Sequence, residues 1–285
     1  MFCKVVYYYV FSELCGWARI IGRILTQKAP FSRPDFAILQ RFVFPPKEMT
    51  VMQTLRPSPY ELSRERTELS FFNQVYVWMA IGLALTGAVA FFTVHNEALF
   101  QMVAQWYMPL ILLELGVVLG LSFLIGKLSG AQATAAFVGY AALNGLVLSV
   151  LLAIYTQASV ASAFFTASGM FAAAGAYGYF TKRDLSGFGR FLFMGLVGIL
   201  IASLINLFWQ NSAMHWTISV LGVFIFAGLT AYDHQKLREM SYAIDSMGAQ
   251  DHNNMRRMVI LGALTLYLDF INLFISLLRL MGERR

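Results

Sequence analysis

After residue 70 the chain is a succession of long apolar runs separated by short polar turns. Stretches free of Lys, Arg, Asp and Glu cover Tyr76–Val94, Ala133–Tyr155, Val160–Phe180, Phe191–Trp209 and Trp216–Tyr232. Each comes close to the roughly 20 residues that a helix needs to cross a hydrocarbon core of about 30 Å. Two further runs contain a single interior acid each: Trp106–Gly126 holds Glu114, and Met258–Leu278 holds Asp269. Apolar residues follow one another without alternation, which predicts helices and not the strands of a barrel. The pattern predicts an all-α integral membrane protein with seven transmembrane helices.

The last run differs from the others. Thr265, Asp269, Asn272 and Ser276 recur at i, i+4, i+7 and i+11 and share one helical face, while the other faces are Leu, Ile, Val and Phe. A stripe containing a carboxylate faces lipid only at high cost, so it should face other helices or water. This predicts a central helix surrounded by the rest of the chain. Small residues suggest close helix packing elsewhere: Gly82 and Gly87, the Gly116–Gly120 pair four residues apart, and Gly169, Gly175 and Gly178.

Composition fits this picture, with 58% hydrophobic and 13% charged residues. The net charge of +6 could suggest nucleic acid, but its distribution argues otherwise. After Asn73, the basic residues fall between runs two and three (Lys127), four and five (Lys182, Arg183, Arg190), six and seven (Lys236, Arg238, Arg256, Arg257) and in the tail (Arg279, Arg284, Arg285). The alternate turns hold none. That distribution predicts a cytoplasmic N-terminus, with no nucleic-acid role. Seven crossings would put the basic tail outside, so the last run either crosses fully or folds back as a hairpin.

Residues 1–70 read as an N-terminal extension and lead-in, and 71–285 as the membrane domain. Met1–Thr26 is apolar but interrupted by charges and lacks a small-residue cleavage site, so it is a poor signal peptide. Ala29–Arg66 carries six of the seven prolines and reads as an exposed tail. One reading starts translation at Met49 or Met52 and leaves the first 48 residues outside the native protein, which an intact-mass measurement decides. Glu61–Asn73 suits an interfacial helix, and Ser241–Arg257 a polar loop. Cys3 and Cys15 indicate neither a disulfide framework nor a thiolate metal site.

The membrane part has three acids: Glu114 and Asp269 inside their runs, and Asp233 at the end of the sixth. Each costs at least about 2.5–3.5 kcal/mol at mid-membrane, and packing alone does not call for a charge. Helical rise places Asp269 deeper than Asp233 by about 10 Å, a gap that tilt can close. If the two meet in a low-dielectric site they cannot both ionise easily, and they share a proton. A shared proton holds two helices together and its loss drives them apart, which makes a proton-controlled latch. The alternative is that Asp233 meets water at a helix end while Asp269 bonds to neighbouring Asn or Ser.

The segments GLTAYDHQKLREM and ILGALTLYLDFINLFISLLRLMG closely resemble the Bax inhibitor-1 (transmembrane Bax inhibitor motif) family, above all its bacterial members. FFNQVYVWMAIGLALTGAVAFF and GKLSGAQATAAFVGYAALNGLVLS resemble it too, so the likeness spans about Phe71–Gly282. It implies two three-helix layers around a central C-terminal helix, in a bacterial inner membrane. It implies a pH-sensitive calcium leak with Asp233 and Asp269 as the sensing pair and Glu114 in the acidic position of the second helix. Lys127 is a candidate counter-charge, and Asn272 belongs to the ion path. Hard Ca²⁺ prefers oxygen ligands, yet three acids support only weak transit binding. No cofactor is expected besides Ca²⁺ as the transported ion. The competing expectation is a regulatory protein that binds a membrane protease complex. No Ser/His or His/Glu pair has spacing suited to a hydrolase, so no enzyme is expected.

Overall fold

A computed structural model describes residues 59–124, 127–209, 211–247 and 252–285. The proposed start sites Met49 and Met52 and both cysteines lie outside these residues. Eight helices follow in order: α1 (Pro59–His95), α2 (Glu97–Gln105), α3 (Tyr107–Leu124), α4 (Gly130–Ile154), α5 (Gln157–Phe180), α6 (Ser186–Trp209), α7 (Ser212–Met247) and α8 (His252–Met281). Local chemistry sets their starts. Ser129 and Gln132 form a reciprocal capping box ahead of α4, and the Thr156 hydroxyl accepts the Ser159 amide ahead of α5.

Six segments are long and apolar enough to cross a membrane: Arg66–His95, Gly130–Ile154, Gln157–Phe180, Ser186–Ser203, Ser212–Tyr242 and Asn254–Met281. The second run departs from the straight span expected over Trp106–Gly126. There α2 and the first part of α3 qualify only together, as a pair bent by 74°. Pro109 supplies the reason. It cannot donate to the Gln105 carbonyl four residues back, and its ring clashes there, so the helix breaks between them.

The lead-in at Glu61–Asn73 is helical, and α1 continues through it into the first span without a break. One other expectation is corrected. The polar loop after Ser241 is shorter than expected, since α7 stays helical to Met247 and α8 starts at His252.

The central-helix expectation is met. Within its span, 83% of α8 is buried, against 22–39% for the other five. It packs against α1, α4, α5 and α7, while α6 lies on α7 and α3 on α4. Contacts also fix directions. Gly82 meets Phe137 and Gly145 meets the Thr86 carbonyl, so α1 and α4 run parallel and the bent pair carries the chain back between them. Gly262 meets Val75 and Gly82 meets Tyr267, so α8 runs parallel to α1; Gly262 meets Leu237 and Gly222 meets Ser276, so α8 runs antiparallel to α7. The hairpin alternative therefore drops out: α8 is one helix, and it ends opposite the end at which α1 begins. Its tail is pinned there, where the Thr156 amide donates to the Glu283 carbonyl (3.1 Å) and the Arg285 amide to that of Ile154 (2.9 Å).

Glycine positions divide unexpectedly. Gly175 and Gly178 are as tight as expected, and a Cβ on Gly178 would overlap the backbone of Ala231. Gly87, Gly116 and Gly169 have nothing within 4 Å, and Gly120 meets only Leu124 of its own helix. The Gly116–Gly120 motif is thus no packing seam within the bundle.

Candidate functional site

The polar stripe of α8 largely satisfies itself. Thr265 donates to the Leu261 carbonyl (3.0 Å), Asn272 to that of Leu268 (2.6 Å) and Ser276 to that of Asn272 (2.8 Å). Hydroxyls and amides can return to the backbone one turn earlier in this way, whereas a carboxylate, which only accepts when ionised, cannot. Asp269 is 0% exposed and Asp233 is 2% exposed, so the alternative of Asp233 meeting water at a helix end does not hold.

The register of α7 against α8 sets the relation of the two carboxylates. Gly222 faces Ser276 toward one end and Gly262 faces Leu237 toward the other. By that register Asp269 stands level with Thr230, and Asp233 with Thr265. The two acids are offset by about one helical turn, ~5 Å along the axes. Helical rise counted from the sequence gives twice that offset, because it assumes where each helix enters the bilayer. Lys127, the expected counter-charge, sits exposed in the turn before α4. A nearer cation is Lys236, which is buried one turn after Asp233 on the same face of α7. Its long stem lies beside Tyr232, with Nζ 5.9 Å from the ring centre.

Around Asp233, side-chain bonds cross-link the helices toward the end of the bundle where α1 begins. His234 Nδ1 donates to the Thr230 carbonyl (2.7 Å), so in the neutral ring Nε2 accepts from the Tyr76 hydroxyl (2.8 Å). Arg238 pairs with Glu68 of α1 (3.3 Å) and donates to the Tyr179 carbonyl of α5 (2.9 Å). Its guanidinium also lies over the Tyr179 and Tyr242 rings. One side chain on α7 thereby ties α1 and α5 together.

Glu114 belongs to a different neighbourhood. Its Oε1 accepts from Asn144 (2.6 Å) and from the Tyr140 hydroxyl (3.3 Å), both on α4. The Tyr140 ring packs edge-on against Tyr267, whose hydroxyl lies 2.7 Å from Thr86 Oγ1. Thr86 spends its own proton on the Ala141 carbonyl (2.8 Å), so Tyr267 is the donor in that pair. Glu114 faces a cavity of about 460 Å³ lined also by Asn272, Ser203 and Arg279. Leu268, Asn272, Ile275 and Arg279 line it at i, i+4, i+7 and i+11, one face of α8, opposite residues of α3, α4 and α6. A second cavity of about 620 Å³ shares Ser203 and Arg279 with it and lies toward the far end.

The structure therefore groups the expected residues in two sets. Asp233 and Asp269 lie in the packed seam between α7 and α8; Glu114 and Asn272 lie in the cavity. Among the described residues no three of His, Cys, Asp and Glu cluster in a way that could hold a metal ion. Sequence alone does not single out Lys236, His234, Arg238 or Tyr267. The i+3 spacing of Lys236 from Asp233 could flag that residue, whereas the other three need the neighbouring helices.

Comparison with known proteins gives one consistent result. The family described as "Inhibitor of apoptosis-promoting Bax1" matches residues 68–285. The chain is 48% identical to inner membrane protein YbhL of Escherichia coli over 219 residues, covering 76% of this chain and 92% of that protein. It is 46% identical over 215 residues to an uncharacterized protein of Deinococcus radiodurans (75% and 91% coverage). A protein of Borreliella burgdorferi is 40% identical over 232 residues (79% and 98%).

Proposed function

The chain belongs to the Bax inhibitor-1 family, and on that premise we propose that it is a multi-pass inner-membrane cation leak controlled by a proton shared between Asp233 and Asp269. Ca²⁺ is the cation that best fits a path lined by oxygen atoms. The bent α2–α3 pair acts as a seventh crossing, and α1, α3 and α4 form one layer against α5, α6 and α7 with α8 between them. The basic end, with the N-terminus, faces the cytoplasm, in keeping with the charge distribution. Residues 71–285 form the membrane unit. Labelling of single cysteines should reach Ser129 and Gly187 from the cytoplasm, and Asn96, Gln157 and Ser212 from outside.

The observation that carries the reading is the α7–α8 register, which brings two buried carboxylates within about one turn on adjoining helices. Two acids so close in a low-dielectric seam favour a singly protonated pair. Loss of that proton leaves two like charges on two packed helices, and separation relieves them. The half-open path, cavity-lined from the far end to Glu114 and Asn272, supports a route that such separation completes.

Calcium flux from the purified chain in liposomes, measured across pH, is the test. Asp233→Asn and Asp269→Asn keep size and hydrogen bonding but remove the charge. Each should lose most of the pH dependence, and the double variant should be little worse than either, as expected for residues acting as one unit. Wild-type pH profiles in both single variants would sink the latch. Absence of any flux from the wild type would sink the leak and leave regulation of a membrane protease, tested by crosslinking and pull-down.

A further inference from the structure

We propose that the far-end cavity binds an anionic phosphate group, carried by a lipid headgroup or free in solution. The cavity holds about 620 Å³, within the roughly 300–1,000 Å³ typical of small-molecule sites. Arg279, Arg284 and His215 line it, together with Asn206, Asn211 and Trp216, and among the described residues no carboxylate does. Two guanidiniums in one concave space attract an anion strongly, since each presents a planar fork of donors matched to phosphate oxygens.

The site is preformed. Arg284 lies between two residues pinned by main-chain bonds, Glu283 through its carbonyl to Thr156 and Arg285 through its amide to Ile154. That pinning holds the tail on the bundle, so the Arg284 guanidinium lines the cavity instead of fraying into water. Arg279 is fixed by the last turn of α8. Asn211 accepts from the Ala213 and Met214 amides at the start of α7, so those donors are already used. The helix then contributes the positive field of its N-terminal end, with no acid in its first turn to cancel it. Trp216 lines the cavity and is exposed, and Trp209 is exposed at the end of α6, the placement of an aromatic belt at headgroup level. An anion here neutralises Arg279, the cation shared with the Glu114 cavity.

The test uses the full-length chain in maltoside micelles and reads its melting temperature. Sodium phosphate is compared with sodium chloride at equal ionic strength, and short-chain phosphatidylglycerol with phosphatidylcholine of the same chain length. Stabilisation by phosphate identifies a free anion, and stabilisation by phosphatidylglycerol but not by phosphate or phosphatidylcholine identifies a headgroup. In R279Q/R284Q the apparent affinity should fall about tenfold or more, whereas R279K/R284K, which keeps both charges, should lose less. Should the double Gln variant fail to fold, R284Q alone decides the matter, because Arg284 is exposed and lies beyond the last helix. An unchanged affinity in the folded Gln variant, or no effect of phosphate or phosphatidylglycerol on the wild type, overturns the proposal.

Discussion

At the end of the bundle where α1 begins, neighbouring helices interlock: a Cβ on Gly178 would strike the Ala231 backbone, and Arg238 joins three helices. At the far end α7 and α8 still touch through Gly222 and Ser276, but cavities of about 620 and 460 Å³ open beside them. The difference follows from which helices reach α8. Toward the closed end it is flanked on every side that matters for Asp233. Toward the open end α6 packs mainly on α7 and α3 on α4, and a cavity lies between them and the face of Leu268, Asn272, Ile275 and Arg279. A bundle with cavities toward one end and interlocked helices beside the aspartates fits the occluded leak proposed above.

The largest effect should come from filling the closed end. Gly178→Val should cost about 1–3 kcal/mol or more through overpacking, enough to lower the yield of folded protein. Gly87→Ala is the control in the open half, where the site has nothing within 4 Å and borders an apolar cavity. It should leave the melting temperature within a few degrees of wild type. Equal losses from both would erase the contrast between the two ends.

Next comes the clamp. Arg238→Gln removes an ion pair that is 37% exposed on the arginine side and 11% on the glutamate side, and leaves the Glu68 carboxylate facing α7. A cost of about 2 kcal/mol is expected, between the values for surface and buried pairs. With the seal loosened, basal calcium flux should rise, and a flux at or below wild type would mean that Arg238 serves packing alone.

The smallest effect belongs to the cavity. Glu114→Gln preserves the bonds to Asn144 and Tyr140 but removes a charge from the path, so it should change the magnitude of flux about several-fold and leave its pH profile in place. A shifted profile would join Glu114 to the aspartates and break the division into two sets.

The fold is legible because a bilayer imposes a simple rule: every backbone group must bond internally, so spans appear as uninterrupted apolar runs. Five charge-free runs and the Asp269 run each form one helix. The second run breaks the rule although its cause, Pro109, lies in plain view, since a proline within an apolar run permits either a kink or a break. The glycines are half legible, because sequence reveals a missing side chain but not whether a neighbour fills the space.

By itself the sequence determined the six unbroken spans, the central place of α8 and the family, through hydrophobicity, a lone carboxylate in an apolar run and two long motifs. The tertiary structure alone decided the α7–α8 register that brings Asp233 within about a turn of Asp269 along the axes, the burial of Lys236 one turn after Asp233, and the cavities toward the far end. The physical reason is that hydrophobicity fixes how far each helix lies from water, whereas side-chain interlocking between helices, as at Gly222 and Gly262, fixes the axial offset to within one turn.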